Sequence, residues 1–227
     1  MDPLQLLDRE RQLNRFPEKL YTKVKKKGII YLKDAVSRVE KASGIKYPEY
    51  YVSPYLTLLK SGAEVGELGV LFARVIPSTS TGSLVILVEF SAALILLGAK
   101  GTIEAITAHE FTHYVELVRR ILRMEILSDV PSSTLFESGY TDEEKTLHPK
   151  LLFKDRALIS LIKRKFTPSL RDERLISKVE KEWIEKKLPT RIISPEENMV
   201  RLNSNAVLSA SFEKTLISKI KEIERSR

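Results

Sequence analysis

Cysteine is absent from the 227 residues, which excludes disulfides, thiolate metal sites and cysteine nucleophiles. Histidine is nearly as scarce, with three in the chain. Glutamine occurs only at Gln5 and Gln12, and with abundant Lys, Glu and Ile this leans towards the composition of thermophile proteins. No apolar stretch reaches the roughly 20 residues that span a bilayer. The longest, Leu84 to Leu97, is interrupted by Glu89 and reads as core. The first residues, Met1-Asp2-Pro3-Leu4-Gln5, lack the apolar region of a secretory signal. The expectation is a soluble, cytoplasmic protein without a membrane partner.

What is present is enough apolar residue, 43% of the chain, to bury a core. Lys and Arg exceed Asp and Glu by 38 to 30, a net charge of +8. An acidic partner such as nucleic acid is conceivable on that balance. Stretches such as Asp172-Glu173-Arg174 and Glu180-Lys181-Glu182 alternate in sign, as solvated helix faces do, and solvation is the preferred reading.

Three textures follow one another, giving expected segments at 1–45, 46–150 and 151–227. The first is helical and charged, with Ile29, Leu32, Val36 and Val39 at helical spacing before Gly44. In the second, Tyr50 to Val52, Leu68 to Ile76 and Leu84 to Phe90 read as strands, the last two joined by a hairpin-like loop from Pro77 to Ser83. A long helix is expected from Thr102, as its N-cap, to about Leu127. The third is helical and basic, with Trp183 as a packing anchor, an aperiodic stretch from Pro189 to Asn205, and a terminal helix from Val207.

Within the long helix lies His109-Glu110-Phe111-Thr112-His113. Imidazoles four residues apart project from one helix face one turn apart, so both can bind one zinc ion. The intervening carboxylate can then take a proton from a metal-activated water and pass it to a leaving amine. On a helical wheel, Ile103, Phe111, Tyr114, Val115, Val118, Ile121 and Leu122 form an apolar side. His109 and His113 lie roughly opposite, with Thr102, Glu116 and Arg120. Histidines that merely filled a core would sit on the other side.

The pentapeptide, preceded by strand-like runs, resembles the zincin metallopeptidases, which carry HExxH on a helix packed behind a small sheet. The resemblance implies an α+β fold, with a small, mostly antiparallel sheet on the active-site helix and helical extensions at both ends. It also implies a Zn²⁺ cofactor, a peptide or protein substrate, and substrate binding as an added strand at the sheet edge. His109 and His113 would bind metal and Glu110 would be the general base.

A catalytic zinc usually takes a third protein ligand. Tyr114 to Arg119 contains neither the Gly nor the His of the longer metzincin motif. Leu135-Phe136-Glu137-Ser138-Gly139-Tyr140-Thr141-Asp142 resembles the gluzincin pattern, in which a Glu on a following helix is the ligand. Glu137 is therefore preferred, 24 residues after His113. The competitor is His148, in a stretch similar to the third-His segment of SprT-like proteases, which act on proteins crosslinked to DNA. Asp142, Glu143 and Glu144 are further candidates, and Tyr140 or His148 could stabilise an oxyanion. A third reading, from another class, is a non-catalytic zinc-binding interaction protein.

Overall fold

The computed structural model describes residues 2–60, 68–123, 134–137, 147–166, 170–194 and 199–226. The fold is α+β, with two small mixed sheets. Helices α1 (Gln5–Gln12), α2 (Glu18–Lys23) and α3 (Ile29–Ser43) come first, the last two joined by a π-helical turn over Val24–Gly28. Strands β1 (Glu49–Ser53), β2 (Leu56–Lys60), β3 (Leu68–Leu71), β4 (Ala73–Ser78) and β5 (Val85–Ser91) follow. Next are α4 (Ala92–Leu97), α5 (Lys100–Leu122) and β6 (Thr134–Glu137). The rest comprises α6 (Pro149–Leu152), α7 (Arg156–Lys165), α8 (Glu173–Val179), β7 (Thr190–Ile193), β8 (Met199–Leu202), α9 (Ser204–Leu208) and α10 (Lys214–Arg225).

Sheet A has the order β1-β5-β4 and sheet B the order β3-β2-β7. In each, the central strand pairs parallel on one side and antiparallel on the other. The expectation of a mostly antiparallel sheet is corrected accordingly. The physical reason is that β1 and β7 reach their partners through long crossovers, not through hairpins. The run from Leu68 to Ile76 is likewise two strands, β3 in sheet B and β4 in sheet A, with buried Phe72 between them.

Strand alternation gives sheet A two different faces. Tyr50, Val88 and Val75 are register partners on one face, where the Tyr50 and Phe90 rings meet edge to face at 6.1 Å. That face continues to α5 through Tyr47, which lies 5.8 Å from Tyr50 and stacks on Phe111 of α5 at 5.3 Å. On the other face, Tyr51, Glu89 and Arg74 form one cross-strand row. Tyr51 donates to Glu89 at 2.6 Å, and Arg74 Nε lies 3.3 Å from the same carboxylate. Arg191 of β7 also pairs with Glu89 and donates from Nε to Thr57 of β2 at 2.8 Å. This row therefore ties sheet B to sheet A, satisfying a carboxylate that burial would otherwise penalise.

One hydrophobic cluster runs from Leu4 and Leu7 through Phe111 and Trp183 to Ile223. The C-terminal part is not purely helical: β7 completes sheet B and β8 pairs with β6. Trp183 is 1% exposed, and its indole N–H donates to Pro189 O at 3.0 Å. Its aromatic neighbour is Phe16, with ring centroids 6.2 Å apart, so the anchor holds the N-terminal region as well as its own segment. The expected terminal helix is two, broken between Leu208 and Lys214. The second buries Leu216, Ile220 and Ile223 and faces α5 through Glu224 and Arg119, 3.8 Å apart.

Gly44 ends α3 at φ +72°, a left-handed cap that suits glycine. Gly28 is required for a different reason. A Cβ there would lie 2.1 Å from Ile95 Cγ2 and 2.8 Å from the Ile95 carbonyl of α4. Gly28→Ala is expected to cost about 1–3 kcal/mol by overpacking, read as a lower denaturation midpoint. Ile95→Ala should recover only part of that loss, because the carbonyl contact remains. Full recovery would show that the close backbone approach is unimportant.

Candidate metal centre

α5 starts earlier than its sequence signals suggest. Ala99 is the N-cap, without a side-chain bond, and Thr102 lies inside the helix. Its hydroxyl donates to Asp172 at 2.5 Å. Glu104 of α5 accepts from Arg38 of α3 at 2.7 Å. The same guanidinium donates from Nε to Asp155 at 2.9 Å, and Asp155 caps α7 by accepting from Leu158 N. These charge-assisted bonds lock α3 and α7 against α5.

The helix is buried on nearly every side. Phe111, Val115 and Val118 are fully buried, as the apolar face predicts, while Leu122 is exposed. The opposite side is also covered: Thr102 and Glu116 are buried and Arg120 is half-buried, and Glu116 pairs with the neighbouring Arg119 at 2.7 Å. His113 is buried and His109 half-buried.

On this covered face the two imidazoles converge. Their Nε2 atoms stand 3.1 Å apart, and the rings meet edge to face at 88° with centroids 4.6 Å apart. Burial pulls the His109 pKa down to about 4, so its ring is neutral at physiological pH. A neutral imidazole can offer a lone pair from Nε2 when its proton sits on Nδ1. Two nitrogens bound to one tetrahedral zinc at about 2.0–2.1 Å each stand about 3.3 Å apart. The observed spacing fits that donor geometry. The same spacing also fits an N–H···N hydrogen bond between the rings.

Glu110 follows His109 and is 8% exposed. Its carboxyl is pushed up to about 8, with desolvation as the cause. Tyr47 flanks this part of the helix, donating to Thr107 O at 3.0 Å. Burial holds the Tyr47 phenol well above its ordinary range, with the Glu110 charge acting in the same direction.

The other candidates fall differently. Glu137 closes β6 opposite Met199 of β8, so its backbone is in a strand where sequence placed a returning helix. Pairing with β8 overrides the local pattern. The Glu137 side chain, together with Tyr140, Asp142, Glu143 and Glu144, lies outside the described residues. His148 is exposed and caps α6, accepting from Lys150 N at 3.3 Å. Among the described residues, no group of three His, Asp or Glu side chains could hold a metal. His109 and His113 are therefore brought together, and His148 does not join them.

Sequence reasoning missed Phe166. Its ring lies on His109 with centroids 3.8 Å apart and an angle of 11° between the planes. An aromatic residue following Lys163-Arg164-Lys165 gives no signal that it will return to a helix 57 residues earlier. No family model, curated protein or solved structure matches the chain.

Proposed function

We propose that the chain is a zinc-dependent hydrolase of peptide bonds, with His109 and His113 as metal ligands and Glu110 as general base. The observation that carries this reading is the convergence of the two Nε2 atoms, 3.1 Å apart, on the helix that also carries buried Glu110. A structural metal site needs ligands and has no use for a desolvated carboxyl next to one of them in the chain.

Bound by this pair, zinc supplies Lewis acidity towards the scissile carbonyl and lowers the pKa of a water molecule. The chain's own groups do the rest. Glu110 takes the proton of the attacking water on its carboxylate and delivers it to the leaving amine. Its desolvated surroundings raise its proton affinity, as a base working near neutrality requires. Phe111 and Tyr47, stacked at 5.3 Å, hold this turn of the helix in place. β4 packs against α5 and forms one edge of sheet A. An extended peptide can add to such an edge through backbone hydrogen bonds. Glu137 is kept as the proposed third ligand on the spacing of its motif. The position of His148 lends no support to the rival assignment.

The test is metal binding by the full chain. Wild type should bind one zinc ion per molecule and cleave a mixed peptide library, while His113→Ala should lose both properties. Glu137→Ala should lower zinc occupancy. Full occupancy and activity in that variant would remove Glu137 from the ligand set. Zinc-loaded wild type that cleaves nothing would favour a non-catalytic zinc-binding protein instead.

A further inference from the structure

We infer that Phe166 is a positioning residue of this centre: its ring, laid flat on His109, fixes the imidazole in the orientation that turns Nε2 towards His113. The inference rests on the zinc reading above and adds a residue to it. A histidine on a helix turns about two side-chain torsions, and each freely turning ligand must be ordered when a metal binds. Here His109 is confined on two sides. Phe166 covers its face at 3.8 Å and 11°, while His113 meets it at 4.6 Å and 88°.

The chain that carries Phe166 is itself tied to α5. Arg171 N donates to Lys165 O at 2.7 Å, and Phe166 forms an antiparallel bridge with Leu170. Lys165 Nζ and Thr102 Oγ1 both donate to Asp172, each at 2.5 Å. Thr102 lies seven residues before His109, two turns along α5 and on the same face. The residues on either side of Phe166 in the chain, Lys165 and Asp172, are therefore fastened to the surface whose histidine Phe166 covers. Asp172 also caps α8 through Leu175 N at 3.1 Å, which fixes the far end.

Coordination strengthens this contact. A metal draws electron density out of a bound imidazole, and the face of a phenyl ring attracts an electron-poor partner. The stacked ring thus favours the metal-bound form over the free one, as well as orienting it.

The experiment compares Phe166→Ala, Phe166→Leu and Phe166→Trp in the full chain, freed of metal and titrated with Co²⁺ as a spectroscopic substitute for zinc. Leu keeps apolar volume without an aromatic face, and Trp keeps the face. Ala and Leu are expected to weaken Co²⁺ binding about tenfold, the scale seen when groups orienting a metal-bound histidine are removed. Trp should retain wild-type affinity. In the metal-free proteins, the His109 ring resonances should lose the ring-current shift in Ala and Leu and keep one in Trp. If Ala fails to fold, as judged by circular dichroism, the Leu and Trp pair carries the comparison. Wild-type affinity in Phe166→Leu, or unmoved His109 resonances, would overturn the inference. Wild type that binds no Co²⁺, or His109→Ala that binds it equally well, would instead overturn the zinc reading itself.

Discussion

Replacing Glu110 by Gln is expected to lower turnover roughly 10²–10⁴-fold, the range supplied by a positioned general acid or base, with zinc content unchanged. Gln keeps the shape of the side chain and removes its capacity to take a proton. The carboxyl is 8% exposed, and desolvation is the cause of its raised pKa. Loss of an ion pair therefore does not accompany the substitution. Removing an ionisable group from so buried a place should leave the fold at least as stable. Rates measured on a mixed peptide library by mass spectrometry, with metal content and thermal unfolding recorded on the same samples, separate these effects. Wild-type turnover in Glu110→Gln would end the case for this base. Slow turnover accompanied by zinc loss would point to a disturbed site.

Trp183→Ala is expected to be the most destabilising single truncation of the C-terminal part, at about 3–5 kcal/mol. For a chain of this size, that corresponds to a fall in Tm of roughly 6–20 °C. The indole is 1% exposed, packs near Phe16 and donates to Pro189 O. Truncation opens a cavity and removes one of the two donors to that carbonyl. Pro189 O also accepts from Leu56 N at 3.0 Å, where β7 joins β2. Phe should recover part of the packing and none of the hydrogen bond. Calorimetry distinguishes this from a local effect: unchanged Tm would mean that the indole is not a tie between the N-terminal helices and sheet B.

The sequence was most legible where structure follows from local periodicity. HExxH spacing placed both histidines on one face of α5, and Gly44 marked the end of α3. The strands β1 and β5 were visible as apolar runs between turn residues. What could not be read depended on distant partners. β2 is a short segment whose strand character comes from pairing with β3 and β7, and the latter lies in a stretch of mixed Arg, Pro and Glu. Parallel pairing leaves no turn signature, so the mixed character of both sheets was hidden. Glu137 was read as helical because its gluzincin-like motif implies a helix, whereas β8 draws its segment into a strand. At the site, the two imidazoles were predictable and their cover was not. Phe166 reaches His109 from the end of α7, which packs against α5 and is tied to it where Asp172 accepts from Thr102 and Lys165.

The pairing of β2 with β7 also governs when the molecule can be completed. Thr57 and Arg191 are separated by 134 residues, so sheet B gains its third strand only after most of the chain has left the ribosome. β6 likewise waits for β8. Contacts of such long range are slow to form, because loop closure must precede any gain from pairing. α5, with His109 and His113, is synthesised well before either event. The histidine pair is thus made before Phe166, whose ring covers His109, and a nascent chain passes through a stage in which the pair is present and that cover is still to come.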